Sequence, residues 1–120
     1  MAYVDVVLIP VAEANRPAYE AEVRRLADLF RDCGATEVVD AWESDVPEGE
    51  MTSLPLAVAR QAGEKVAFGW VLWPDKAARD AGWDKALADP RMSTPETSAY
   101  DPRRMIFGGF EVIHAARDGG

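Results

Sequence analysis

The apolar positions of this chain form four short segments of strand character, separated by two longer segments of helical character. The predicted strands are rich in β-branched and aromatic residues and span Val4–Ile9, Thr36–Ser44, Val66–Trp73 and a last run, Arg104–His114. Prolines follow the first and third of these strands, at Pro10 and Pro74, and predict that the strands end there.

The first predicted helix follows Asn15, a residue type that favours the N-cap, with Pro17 in the first turn. Its apolar stripe repeats at steps of four and three and consists of Tyr19, Val23, Leu26, Phe30 and Cys33. Gly34 is predicted to end this helix. Asp75 is predicted to cap a second helix, Lys76–Ala88, which ends at Asp89-Pro90.

Two segments are less regular. Leu54–Arg60 is predicted to be a short extended segment, and a polar loop is predicted from Met92 to Pro102. The element order is therefore β-α-β, an insertion, and β-α-β, which is the split βαβ pattern of the ferredoxin-like fold. We predict an α+β protein with one domain over residues 1–120, an antiparallel sheet and two helices on one sheet face.

The strands are apolar on both sides, which is unusual for an antiparallel sheet with one face in water. In the third strand Phe68, Trp70 and Leu72 point to one face, and Ala67, Val71 and Trp73 to the other. Because two helices cover only one face, the pattern predicts a homodimer built sheet against sheet, a dimeric α+β barrel. Which face meets the partner is left open.

The pair Gly108-Gly109 interrupts the last predicted strand. It is interpreted as a β-bulge, with close approach of a ligand or a partner backbone as the alternative.

Composition narrows the function classes. A net charge of -8 without a Lys/Arg cluster argues against nucleic-acid binding. No apolar run approaches the roughly 20 residues that span a bilayer, and the first residues lack the pattern of a signal peptide. With Cys33 as the single cysteine, we expect a cytoplasmic protein without a membrane partner.

Several motifs together resemble the YbaA-like proteins, a bacterial family of unknown function. They are Tyr3-Val4-Asp5, Val38-Val39-Asp40-Ala41-Trp42, Asp45-Val46-Pro47, Phe68-Gly69-Trp70, Arg79-Asp80, Asp89-Pro90-Arg91-Met92 and Arg104-Met105-Ile106-Phe107-Gly108-Gly109-Phe110-Glu111. The resemblance covers nearly the whole chain and implies membership of the dimeric α+β-barrel superfamily. That superfamily contains cofactor-free monooxygenases, haem-degrading enzymes and small isomerases, so the resemblance implies a fold and no particular reaction.

Metal and nucleophile chemistry have little support in the sequence. There is one histidine and one cysteine, without metal-ligand spacing, and no metal site is predicted. Cys33 lies on the apolar stripe and is interpreted as a packing residue, and His114 as a surface or satisfied residue of the last strand. No cofactor motif is present, and no cofactor is predicted.

Asp5 and Asp40 are the best polar candidates, because each lies among apolar strand residues. A carboxylate in such a place is either paired with an arginine, Arg104 among the possibilities, or its pKa rises and it becomes a candidate general base. Trp42 and Trp70 are candidates for lining a pocket for a flat organic molecule, with core or dimer packing as the alternative.

Two functions remain open from the sequence. One is a small-molecule site in a cleft between sheet and helices, lined by Asp5, Asp40, Trp42, Trp70 and Arg104. It would serve binding alone or a cofactor-free monooxygenase- or isomerase-like reaction with an Asp as acid or base. The other is a dimeric module without a ligand, in which these groups serve folding only.

Overall fold

Four strands and three α-helices form the fold in the computed structural model, which describes residues 1–92 and 99–117. The strands are β1 (Tyr3–Ala12), β2 (Glu37–Trp42), β3 (Glu64–Trp73) and β4 (Ile106–Glu111). The helices are α1 (Arg16–Asp32), α2 (Leu54–Ala57) and α3 (Lys76–Ala88). The part of the predicted polar loop at positions 93–98 lies outside the described residues.

The strands form one sheet in the order β2-β3-β1-β4, and every neighbouring pair is antiparallel. The two long helices α1 and α3 connect strands in the split βαβ arrangement. The predicted ferredoxin-like α+β fold is therefore confirmed.

Strand β1 is longer than predicted, because it continues through Pro10 to Ala12. It pairs with β3 as far as Ala12, whereas its pairing with β4 ends at Leu8. Pro10 therefore lies where one side of β1 has no partner strand. Proline has no backbone N–H to donate, and it is tolerated at such a position because no partner strand needs that hydrogen bond.

Both long helices begin and end at the predicted signals. In α1, Asn15 occupies the N-cap and Pro17 the first turn, and Gly34 follows the helix with a φ of +113°. The Asn15 side chain donates a hydrogen bond to the Ala99 carbonyl instead of capping the helix. In α3, the Asp75 side chain accepts a hydrogen bond from the Ala78 N–H at 2.7 Å, as expected of an N-cap.

The prediction of an extended segment over Leu54–Arg60 is wrong, because helix α2 occupies its first four residues. The Ser53 hydroxyl accepts a hydrogen bond from the Leu56 N–H at 3.1 Å, and Pro55 lies in the first turn. A capping serine and an early proline are enough to start a helical turn that is too short to show a periodic apolar stripe.

The predicted β-bulge at Gly108-Gly109 is also wrong. The pairing of β4 with β1 is continuous from Ile106 to Glu111, with Gly109 directly opposite Asp5. A Cβ atom on residue 109 would lie 2.4 Å from the Tyr3 hydroxyl and 2.7 Å from its ring. Gly109 therefore makes room for the ring of Tyr3 and not for a bend of the strand.

The last strand is shorter than predicted at both ends. Arg104 belongs to a 3-10 turn, Pro102–Arg104, that precedes β4. His114 lies beyond the end of β4 and is exposed, so its placement in the strand was wrong.

The two sheet faces differ in their cover. On the inner face, α1 and α3 pack against strand residues, and the fully buried side chains there include Trp73, Ile9, Val11 and Leu29. The outer face carries the alternate strand positions, which are mainly apolar and include Val4, Val6, Leu8, Val39, Phe68, Trp70, Leu72, Ile106 and Phe110, with Glu37 as a charged residue at its β2 edge. On the outer face Phe110 is 57% exposed and Trp70 38% exposed in the single chain. Within the described residues, no helix is long and apolar enough to cross a membrane.

The insertion between β2 and β3 covers one end of the outer face. Val46 and Leu54 of the insertion lie beside Leu8 and Phe68 of the sheet. Two ion pairs hold the insertion, since Arg60 contacts Glu43 at 2.6 Å and Glu48 at 2.7 Å. The rest of the outer face therefore forms an apolar surface that has no cover in the described part of the chain.

Candidate functional site

A cavity of about 530 Å³ lies between the inner face of the sheet and the helices. Its walls are mainly apolar and aromatic side chains. They include Val7, Ile9, Tyr19, Val23, Leu26, Phe30, Val38, Val71, Trp83, Met92, Tyr100, Met105 and Phe107. Only three charged residues, Asp5, Asp40 and Arg79, line the cavity within the described residues. The two carboxylates have different surroundings.

Asp5 is held by a structural ion pair. Arg79 on α3 donates hydrogen bonds to it through Nη2 at 2.9 Å and Nε at 3.1 Å. The indole N–H groups of Trp73 and Trp83 donate to its Oδ2 at 3.0 and 2.9 Å. The hydrogen bond to the Asp5 carboxylate is the main cause that raises the pKa of Arg79 above its ordinary value, and the hydrogen bond to Asp80 adds to it. Both carboxylate oxygens of Asp5 accept hydrogen bonds from protein N–H groups, which indicates a structural role.

Asp40 lies on β2 directly opposite Gly69 of β3. A Cβ atom on residue 69 would lie 2.8 Å from Asp40 Oδ1, so the glycine leaves the space that the carboxylate occupies. Asp40 makes no hydrogen bond and no ion pair with residues 1–92 or 99–117. Although the residue as a whole is exposed, the protein around its carboxyl group removes water and raises its pKa to about 6.

Tyr19 of α1 lies near Asp40. Burial raises the pKa of the Tyr19 phenol, and the negative charge of Asp40 raises it further. The hydroxyl group therefore stays protonated and able to donate a hydrogen bond over the physiological range. The Tyr19 ring contacts Tyr100 edge to face, with centroids 5.9 Å apart. One side of the cavity thus combines a phenol and aromatic walls with a carboxylate that has no partner among residues 1–92 and 99–117.

A further buried carboxylate, Glu22, lies outside the cavity lining. Burial raises its pKa, and Arg25 opposes this shift from a distance of 3.9 Å. Arg25 also donates a hydrogen bond to the Arg91 carbonyl. This pair connects α1 to the turn Pro90–Met92, and the charge of Glu22 also acts on the Tyr19 and Tyr100 phenols of the cavity wall.

The structure brings three of the five predicted site residues to the cavity, which are Asp5, Asp40 and Trp70. The indole of Trp70 belongs to the outer face, where its N–H donates to Glu37 at 3.2 Å. Trp42 is set back from the cavity, with its ring between Tyr19 and the Arg16 guanidinium. Arg104 does not line the cavity, and its guanidinium donates two hydrogen bonds of 2.6 and 2.7 Å to Glu64.

Most of the lining was not among the predicted site residues, and the missed residues include Tyr19, Arg79, Trp83 and Phe107. Tyr19 was part of the helical stripe, and a stripe position does not distinguish core from cavity. Phe107 lies on the inner face opposite Val7 and is 77% exposed, because β4 is the edge strand that the helices leave uncovered. The alternation of side chains along a strand could have placed Phe107 on the same sheet face as Asp5, because every second residue points to one face.

No group of three or more His, Cys, Asp or Glu side chains suited to hold a metal ion occurs within residues 1–92 and 99–117. Of the two carboxylates that line the cavity, Asp5 is paired with Arg79, and Asp40 alone does not provide enough ligands for a metal ion.

Residues 2–102 match a family described as Protein of unknown function (DUF1428). The chain is 40% identical over 114 residues to the uncharacterized protein YbaA of Escherichia coli strain K12, which covers 94% of this chain and 97% of that protein. The uncharacterized protein YbaA of Shigella flexneri has the same identity and coverage.

Among solved structures, the chain is similar to SnoaB, a cofactor-independent oxygenase from Streptomyces nogalater. The TM-score is 0.54 with 17% sequence identity, and the likeness covers 95% of each chain. At this level of identity the similarity supports the fold and does not transfer an activity.

Proposed function

Since the chain belongs to the DUF1428 family, whose description assigns no activity, we propose a function from its own cavity: it binds a small, flat organic molecule between the sheet and the helices. The observation that carries this proposal is the Asp40 carboxylate at the wall of an apolar cavity of about 530 Å³, where no described residue pairs with it.

The size and lining of the cavity support a ligand. Small-molecule sites commonly measure about 300–1,000 Å³, with apolar walls and a few polar groups that orient the ligand. Asp40 has this orienting position, and Tyr19, Trp83 and Phe107 supply flat surfaces. A carboxylate that served only folding would be expected to have protein donors, as Asp5 has.

A second candidate function is catalysis with Asp40 as the general base. A carboxylate whose pKa lies near 6 accepts a proton more readily than an ordinary aspartate and is still ionised at neutral pH. Asp40 would take a proton from an acidic position of the bound molecule, whose own reactivity would complete the reaction. The fold similarity to SnoaB makes a cofactor-free oxygenase reaction one form of this candidate.

A thermal-shift screen of aromatic and metabolite-like compounds tests the binding proposal. A ligand at 100 times its Kd adds about 2.7 kcal/mol to the stability of the folded state. We expect compounds that stabilise the wild type and lose this effect in Asp40→Asn. The exposed Asp28, which lies on α1, provides the control Asp28→Asn, which should keep the shift. Compounds that stabilise both variants equally would contradict a site at Asp40.

The same compounds separate binding from catalysis. Under air, a catalysed reaction would consume the compound or oxygen in proportion to wild-type enzyme, and Asp40→Asn would abolish this turnover. A compound that binds through Asp40 and is recovered unchanged would restrict the function to binding.

The protein is further proposed to be a homodimer that joins the outer sheet faces of two copies. The support is the contiguous apolar face, on which Trp70, Ile106 and Phe110 are 38%, 40% and 57% exposed. A second copy offers a face of the same width, chemistry and twist, and isologous pairing of such faces closes the assembly. Sedimentation of the wild type at micromolar concentration tests this state.

A cytoplasmic location is also part of this proposal. The free thiol of Cys33 is the sole cysteine and packs against the inner core, which suits a reducing compartment.

A further inference from the structure

The charge of the cavity determines which ligands suit it. Within the described residues that line it, Arg79 is the single cationic side chain, and it is occupied by Asp5 and Asp80 at 2.9 Å each. The two contacts leave its guanidinium engaged on both sides. Among the described residues that line the cavity, the carboxylate of Asp40 is therefore the one charged group without an ion-pair partner.

The aromatic walls of the cavity also favour a positively charged ligand. Aromatic rings present negative π faces to a molecule beside them, and Tyr19, Phe30, Trp83, Tyr100 and Phe107 supply such rings. A cation that also pairs with a carboxylate gains a charge-assisted hydrogen bond that a neutral molecule lacks. An anionic ligand would meet the Asp40 carboxylate, and the described lining offers no free cation to offset the repulsion.

The whole chain adds to this preference. Its net charge of -8 raises the local concentration of cations and lowers that of anions near the surface. Local charge, aromatic walls and overall charge thus favour one class of ligand.

We propose that the ligand of the cavity is an organic cation, a flat apolar molecule with a primary or secondary amine whose ammonium group pairs with the Asp40 carboxylate. This inference rests on the proposed function and specifies its ligand class. The apolar body lies between the helices and the inner sheet face, where Trp83 and Phe107 are on the wall. Any basic group elsewhere on the molecule would face apolar walls and lose its hydration without a partner.

Three probes with the same ring test the charge preference: naphthylmethylamine, naphthylmethanol and naphthoic acid. Their binding is measured by isothermal titration calorimetry at about pH 8, where Asp40 is ionised and the amine is still protonated. We expect the amine to bind about tenfold or more tightly than the alcohol, and the acid to bind least. Asp40→Asn should remove the preference for the amine, whereas the control Asp28→Asn should retain it.

The outcomes separate the two levels of the argument. If the alcohol or the acid binds as tightly as the amine, or if Asp40→Asn keeps the preference, the organic-cation proposal is wrong while the cavity remains a binding site. If none of the three probes binds to the wild type at millimolar concentration, both the ligand class and the proposed function are contradicted.

Discussion

At the scale of single residues, two aspartates with the same strand context have opposite environments. Both Asp5 and Asp40 lie on the inner face, and each was predicted to be either paired or perturbed. Asp5 has four protein donor groups from Arg79, Trp73 and Trp83. Asp40 has none within the described residues. The structural role therefore belongs to one and the candidate ligand contact to the other.

Asp5→Asn should lower the free energy of unfolding by about 3 kcal/mol, because it removes the part-buried charge that accepts hydrogen bonds from Arg79 and two indole N–H groups. Chemical denaturation at neutral pH measures this loss. Asp80→Asn is the matched control, since Asp80 also pairs with Arg79 but lies at the surface. Its loss should be below about 1 kcal/mol. Equal losses in the two variants would show that the indole contacts contribute nothing.

Asp40→Asn should instead stabilise the protein at neutral and alkaline pH. The folded state holds the Asp40 proton up to a pKa of about 6, above the ordinary value of 3.8. The contribution of this group to stability is therefore complete below about pH 4 and is lost as the pH rises through about 6. An asparagine cannot ionise and does not incur this loss.

The expected gain for Asp40→Asn at about pH 8 is of the order of 1 kcal/mol, since solvent screens part of the effect at this exposed residue. The difference from the wild type should shrink towards zero at about pH 4. Denaturation curves of Asp40→Asn and of the wild type at the two pH values measure it. A gain that is independent of pH would contradict the assigned pKa shift.

At the scale of elements, the sequence predicted features that depend on a few neighbouring residues, such as helix ends. It did not predict contacts between residues far apart in the chain. The Asp75 cap of α3 and the glycine at Gly34 after α1 were predicted because they act on adjacent backbone groups. Asn15 marked the start of α1 correctly, although its side chain does not cap the helix. Helix α2 had similar signals in Ser53 and Pro55, but four residues are too few to show a period.

The site was predictable only to the level of its strand residues. The ion pair of Asp5 with Arg79 joins residues 74 positions apart. No spacing rule connects them, so the sequence left open which aspartate is paired. The role of Gly109 was missed for the same reason, because the ring it accommodates belongs to Tyr3 at the other end of the chain. Packing across a sheet depends on register, which the sequence did not define.

Gly109→Ala should lower the free energy of unfolding by more than about 1 kcal/mol, because the new methyl group would overlap the Tyr3 ring and hydroxyl. Gly108→Ala is the matched control on the next residue. A Cβ atom on residue 108 would lie 3.5 Å from Phe110, which is an ordinary contact. Gly108→Ala should therefore change the free energy of unfolding by less than about 0.5 kcal/mol. Thermal melting compares the two, and similar effects would contradict the tight contact at Gly109.

At the scale of the whole molecule, the two faces of the sheet differ in what covers them. The inner face and its helices enclose the core and the cavity. The outer face is apolar and is covered at one end by the insertion that holds Val46 and Leu54. The sequence predicted two apolar faces from strand alternation, and the pairing registers confirm that separation. The dimer itself stays a prediction.

Phe110→Asp should convert the dimer to a monomer without unfolding the chain. The side chain is 57% exposed in the single chain, so the charge is tolerated there, but it would be buried without a partner between two sheets. Leu87→Asp is the control, because Leu87 is 65% exposed on α3. It should leave the dimer intact. Analytical ultracentrifugation distinguishes the states, and a wild type that is monomeric at micromolar concentration would refute the dimer.

The positions of the four tryptophans have a spectroscopic consequence. Trp73 is fully buried and Trp42 lies beneath Arg16, so their emission should respond little to ligand or partner. Trp83 lies on the cavity wall, and Trp70 is partly exposed on the outer face. A molecule entering the cavity should quench or shift the fluorescence of Trp83, whereas pairing of two chains should move the emission of Trp70 to shorter wavelength. Trp83→Phe and Trp70→Phe separate the two signals, so native fluorescence can follow the two surfaces independently in one sample.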